Sequence, residues 1–123
     1  MALFIKEPTI VKAAGNKEKI IKEFFGNVTS KTSEVSIARM KSPEGWEEPG
    51  QCPKFNEYTV VLKGKLMITT KNEEFVVSEG QGIMTSEDEW VRYSTPFEGG
   101  AEYIAVCLPA FSPDIVRRDK ETY

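Results

Sequence analysis

The sequence predicts an all-β domain, a small antiparallel β-barrel or jelly-roll sandwich, with one short N-terminal helix. Three observations carry that expectation. Between Glu57 and Leu108, short apolar runs recur about every eight to twelve residues, the spacing of sandwiches and small barrels. Each run ends in turn chemistry: Lys63-Gly64, Lys71-Asn72-Glu73, and the corner from Gly80 to Gly82. The runs are also apolar on both faces, which calls for two sheets packed against each other.

Taken in order, residues 3–5 and 9–11 read as short edge strands separated by Pro8. After the Ala13-Ala14-Gly15 break, Asn16 is placed to cap a helix over Lys17 to Phe25. Ile20 with Phe24, and Ile21 with Phe25, fall four apart, and Gly26 supplies the stop. So short a helix is unstable alone and is expected to lie on the sheet. Asn27 to Thr32 is a polar loop. Glu34 to Lys41 alternates as a strand, with Val35, Ile37 and Arg39 on one face and Ser36, Ala38 and Met40 on the other.

The connection SPEGWEEPGQCPKFN (42–56) is long for a structureless link and is expected to be a functional or rim loop. It carries Trp46, which with Trp90 suits a rim or interface role. The strands EYTVVL (57–62), KLMITT (65–70), EFVVS (74–78), WVRYST (90–95) and AEYIAVCL (101–108) follow. Glu57, Thr59 and Val61 share a face, as do Val91, Tyr93 and Thr95, and Tyr103, Ala105 and Cys107. The tail SPDIVRRDKETY (112–123) is charged and expected on the surface.

With 123 residues the chain is a single domain, 1–123, able to bury a core without staples. A net charge of −3 gives no electrostatic reason to expect nucleic acid or an anionic membrane as partner. The opening MALFIKEPTI lacks the basic start and apolar core of a signal peptide. Cys52 and Cys107 read as free thiols, so the expected location is cytoplasmic. The sequence contains no histidine, which excludes histidine-containing triads and two-histidine metal sites, and two cysteines fall short of a thiolate zinc site.

The strand pattern and its glycines resemble a small single-domain cupin, the RmlC-like double-stranded β-helix. The first cupin motif falls on Gly45, Gln51, Pro53, Glu57 and Gly64, and the second on Gly80, Ser86, Asp88, Val91 and Thr95. The resemblance covers about residues 33–116, which it makes the barrel core, with the N-terminal strand and helix over 1–26 outside it. In that family three histidines and the glutamate hold a divalent metal. Here the histidine positions are Gln51, Pro53 and Val91, and only Glu57 matches, so no metal and no other cofactor is expected. The metal-dependent chemistries of the family are not carried over. The resemblance also implies a homodimer in which N-terminal strands extend a neighbour's sheet, using Phe4, Ile5, Ile10 and Val11.

The candidate catalytic residues are Glu57, as general acid or base, and Tyr93 or Tyr103, as its hydroxyl partner. Alternatively Glu57 is a buried structural carboxylate paired with Arg39 or a tyrosine. Arg39, Gln51, Glu57, Val91, Tyr93 and Cys107 are the candidate ligand contacts. A small-molecule binding module, a metal-independent proton-transfer enzyme on a sugar or organic acid, and a purely structural barrel all remain open. The ligand is an unidentified small molecule.

Overall fold

The computed structural model describes residues 1–120. In chain order the elements are β1 (Thr9–Val11), β2 (Ile20–Phe25), β3 (Ser36–Ser42), β4 (Trp46–Glu47), β5 (Asn56–Thr70), β6 (Glu74–Ser78), β7 (Gly82–Thr85), β8 (Val91–Thr95), β9 (Ala101–Leu108) and α1 (Pro113–Val116). All pairings between them are antiparallel. The all-β barrel expected from the sequence is the architecture observed.

The barrel closes because two sheets share one strand. The first half of β5 pairs with β9 and β7. Its second half pairs with β6 and β8. Beyond β9 the first sheet continues through β3 and β2 to β1, and β4 borders β8 in the second. The bend in β5 is a bulge between Val61 and Lys63, followed by Gly64 at φ 78°, where a side chain would collide with the Gly100 carbonyl. The bulge also shifts the parity. Glu57, Thr59 and Val61 point inward before it, and Leu66 and Ile68 after it. The Lys63-Gly64 turn expected from the sequence is therefore a bend within one strand.

The N-terminal helix expected over Lys17–Phe25 is instead strand β2. It lies between β1 and β3, with Ile21 beside Met40 and Glu23 beside Ala38. A bulge between Glu23 and Phe25 breaks its alternation, which leaves the same apolar residues at a helix-like spacing. The only helix among the described residues is α1, near the other end of the chain. Residues 3–5 form no strand, and β1 pairs with β2 rather than with them. The Gly80–Gly82 corner leads into β7, a strand with no clear apolar signature.

Trp46, Val61, Leu66, Ile68, Val77 and Val91 fill one part of the barrel as its main core. Trp46 is 1% exposed and its indole N–H donates to the Ala14 carbonyl at 3.0 Å, so it is neither a rim nor an interface residue. Trp90 lies over Gly50, and its N–H donates to Asp119 Oδ2 at 2.9 Å, which covers it with the chain's own tail. That tail straps the barrel. Cys52 N–H donates to the Arg117 carbonyl at 3.1 Å, Lys54 N–H to Ile115 at 2.8 Å, and Asp119 N–H to Gly50 at 2.8 Å. Val116 packs with Phe55 and Cys107 in a second, smaller core, so this tail is not a free surface segment. Its last residues, 121–123, lie outside the described residues. Among the described residues no helix is long and apolar enough to cross a membrane.

Candidate functional site

Three rows of side chains cross the inner face of β3, β9 and β5. One holds Ser36, Cys107 and Glu57; the next Ala38, Ala105 and Thr59; the third Met40, Tyr103 and Val61. The middle row is small, and the facing sheet does not fill the space above it. A cavity of about 70 Å³ opens there, room for a few water molecules or a small organic group. Tyr93 of β8 and Ile21 of β2 line its sides. The loop between β4 and β5 contributes Glu48 and Gln51, and Lys19 and Arg118 reach in from just before β2 and just after α1.

Lys19, Arg118, Glu48 and Glu57 meet in this space, and Lys12 and Glu23 also border it. Glu48 is 6% exposed and has Arg118 Nη2 at 3.9 Å from its Oε2. Burial raises the Glu48 pKa, and Lys19 and Arg118 oppose that only in part. Lys19 Nζ lies 4.2 Å from the ring centre of Trp46 and 5.2 Å from that of Tyr103. Burial pulls the Lys19 ammonium down, but Tyr103 and Glu48 outweigh it and the pKa is raised. Glu57 is 9% exposed. Burial pushes its carboxyl up, the charge of Glu48 adds to this, and Lys19, Tyr93 and Arg118 pull the other way, leaving it raised from 4.5 to about 7. The cavity is therefore bordered by three cations, two carboxylates, and one carboxyl that gains or loses its proton near neutrality.

The hydroxyls are anchored. Tyr93 shares a hydrogen bond with Thr85 Oγ1 at 3.0 Å, and Tyr103 with Ser42 Oγ at 2.8 Å. Burial raises both phenol pKa values, as it does that of the Cys107 thiol, so all three stay protonated. Gln51 is 3% exposed, and its Oε1 has no hydrogen-bond partner among the described residues, nor does Arg118 Nε. Glu23 plays a different part. Its carboxylate accepts from Thr29 N–H at 2.9 Å and Thr29 Oγ1 at 2.8 Å, fixing the turn after β2.

Of the candidates named from the sequence, Glu57, Gln51, Tyr93, Tyr103 and Cys107 line this one cavity. Arg39 and Val91 do not. Arg39 points outward and pairs with Glu102 at 3.1 Å, so it cannot be the partner of Glu57 or a cavity contact. Its parity group was legible, but the inward face of β3 is the other one, where Ser36 and Ala38 leave space. Val91 is wholly buried in the main core beside Trp46 and Ile68, with nothing of it in the cavity. Lys19, Glu48 and Arg118 were missed. The helical spacing around Ile20 and Phe24 misplaces Lys19, and the loop that holds Glu48 and the tail that holds Arg118 have no periodicity that points a side chain.

The residues do not fit the divalent metal that the motif spacing brings to mind. The Pro53 side chain offers no donor atom, Val91 is in the core, and Gln51 is a weak neutral ligand. Lys19 and Arg118 face the carboxylates and would repel a cation there. Among the described residues no group of three or more histidine, cysteine, aspartate or glutamate side chains converges on a point. Positive charge in this barrel is supplied by side chains.

No family model matches the sequence. A protein of Myxococcus xanthus named Endoribonuclease YbeY is 37% identical over 101 residues, which is 82% of this chain and 34% of that protein. The chain thus spans about one third of the length of the curated relative it matches. Among solved structures, the polyketide cyclase RemF from Streptomyces resistomycificus superposes with a TM-score of 0.75 at 13% identity, covering 99% of this chain and 87% of that one. An RmlC-like cupin from Shewanella frigidimarina gives 0.72 at 14% identity, covering 92% and 94%. A predicted oxalate decarboxylase from Thermotoga maritima gives 0.72 at 18% identity, covering 89% and 99%. At these identities the likeness is one of fold.

Proposed function

We propose that this chain, by fold a small cupin-type domain of the RmlC-like kind, binds a small organic acid in its barrel, using side-chain cations. One observation carries the reading: Lys19, Arg118, Glu48 and Glu57 share a single buried cavity. With Glu57 protonated, the three cations Lys12, Lys19 and Arg118 outnumber the carboxylates Glu23 and Glu48 by one, a positive charge that a monoanion balances. With Glu57 ionised they sum to zero, and an added anion lies uncompensated in a low-dielectric site. Protonated Glu57 also offers an O–H to the ligand. Calorimetric titration near pH 6 with propionate and with propionamide tests the idea. The acid binds and the amide does not, and Lys19→Met weakens the acid about ten- to a hundredfold, the loss expected for a charged hydrogen bond. Equal binding of acid and amide, or no effect of Lys19→Met in a folded protein, refutes it.

A second reading rests on the same carboxyl. A group poised near neutrality beside a phenol has the pKa of a general base, so proton removal from the carbon next to the ligand's carboxylate is within its reach. Incubation of hydroxy- and keto-acids in deuterated water, followed by proton NMR, checks this. Loss of that carbon's proton signal that stops in Glu57→Gln establishes an enzyme; its persistence leaves a binding domain.

We also propose a homodimer working in the cytoplasm, where Cys52 and Cys107 remain reduced. The N-terminal residues Leu3 and Phe4 are largely exposed, and Tyr58, Val60 and Met84 form an apolar outer face on β5 and β7. A second copy covers such surfaces.

A further inference from the structure

The cavity does not end at its own lining. A wider space of about 450 Å³ adjoins it, and the two share Val11, Lys12, Ala14, Glu23, Phe111 and Arg118 in their walls. This outer chamber lies between the segment after β1 and the segment before α1, with Ala13, Val28 and Pro113 adding carbon surface and Asn27 and Ser112 polar edges. The charges are distributed unevenly. Lys19, Glu48 and Glu57 border only the inner cavity, whereas Lys12, Glu23 and Arg118 stand at the junction. The Arg118 guanidinium sits 5.7 Å from the Phe111 ring centre and 3.9 Å from Glu48, which holds it at the throat. Both spaces are walled largely by carbon; the inner one is narrow and holds Lys19, and Arg118 stands where it widens.

From this we infer that the ligand is an amphiphilic carboxylic acid, its carboxylate in the inner cavity and an alkyl or aryl body of several carbons in the outer chamber. The inference rests on the acid-binding reading above and adds the body. An inner cavity of about 70 Å³ accommodates a carboxylate with very few carbons, so any larger ligand must pass the throat at Arg118 and Phe111. The chamber it enters offers carbon surface on opposite sides, from Val11 and Val28 to Phe111 and Pro113. Each methylene that moves there from water gains burial, and affinity then climbs with chain length.

A homologous series from propionate to octanoate, titrated calorimetrically into the full chain at fixed pH near 6, tests this. Once the chain outgrows the inner cavity, the dissociation constant falls about fourfold per added methylene. Ala13→Trp, which fills the outer chamber from a loop position, collapses that gradient while the protein keeps a cooperative melt. Dissociation constants that stay flat along the series, with propionate bound, overturn the amphiphile and leave the acid-binding reading intact. A gradient that survives Ala13→Trp in a folded variant places the alkyl body elsewhere and also overturns it. If no acid of any length binds, the acid-binding reading fails, and this inference with it.

Discussion

Replacing Glu57 by glutamine changes how stability depends on pH, and the size of the change follows from the cavity. The carboxyl is raised from 4.5 to about 7 by burial and by Glu48. In the unfolded chain it returns to its ordinary value. Between those two values the native state holds more protons than the unfolded state, so its stability falls as pH rises. The loss begins above the unfolded pKa and is complete once pH has passed the folded one. At about 1.4 kcal/mol per pH unit it totals on the order of 3 kcal/mol. Glutamine keeps the shape and has no proton to lose. Urea denaturation of both proteins at intervals from about pH 5 to about pH 8.5 therefore shows similar stabilities at the acid end and a widening gap above it. The variant ends roughly 3 kcal/mol ahead in alkaline solution. A gap that stays constant across the range, or a variant that falls further behind with rising pH, refutes the placement of an ionisable carboxyl between Glu48 and Tyr93.

Three other outcomes follow from where side chains lie. Because Arg39 pairs with Glu102 on the outer face, Arg39→Met and Glu57→Gln combine additively in a denaturation cycle, and strong coupling places the guanidinium inside after all. Trp46→Ala costs about 3–5 kcal/mol by urea denaturation, as expected for a core tryptophan, whereas a rim residue costs little. The full chain sediments at twice its 13.9 kDa mass, and removal of residues 1–8 shifts it towards monomer; an unchanged dimer places the interface on the outer face of β5 and β7 alone.

The sequence made the barrel legible where alternation is uninterrupted. Tyr103, Ala105 and Cys107 of β9, and Glu57, Thr59 and Val61 of β5, face inward as their spacing indicates. Legibility stopped at the bulges. The one near Phe24 disguised β2 as a helix, and the one before Gly64 made a single strand look like two. On β3 both parity groups were visible, but apolarity pointed to the wrong one. Val35 and Ile37 look like core, yet a hollow site needs small residues inward, and Ser36 and Ala38 are the ones that line it. The charges of the site were hidden for a further reason. Lys19, Glu48 and Arg118 lie on segments whose direction is set by contacts distant in sequence, such as Trp46 beneath Lys19 and the pairing of Gln51 with Arg118.

The most direct test of a proton-linked acid site is to watch the Glu57 carboxyl itself. Carbon-detected NMR of protein labelled at the glutamate carboxyl carbon, assigned by Glu57→Gln, follows its titration with and without a bound alkanoate. A midpoint at about 7 in the free protein, moving higher when the acid is bound, is the expected result. A midpoint in the ordinary carboxylate range, or one that moves lower on binding, contradicts a neutral Glu57 standing beside a bound anion.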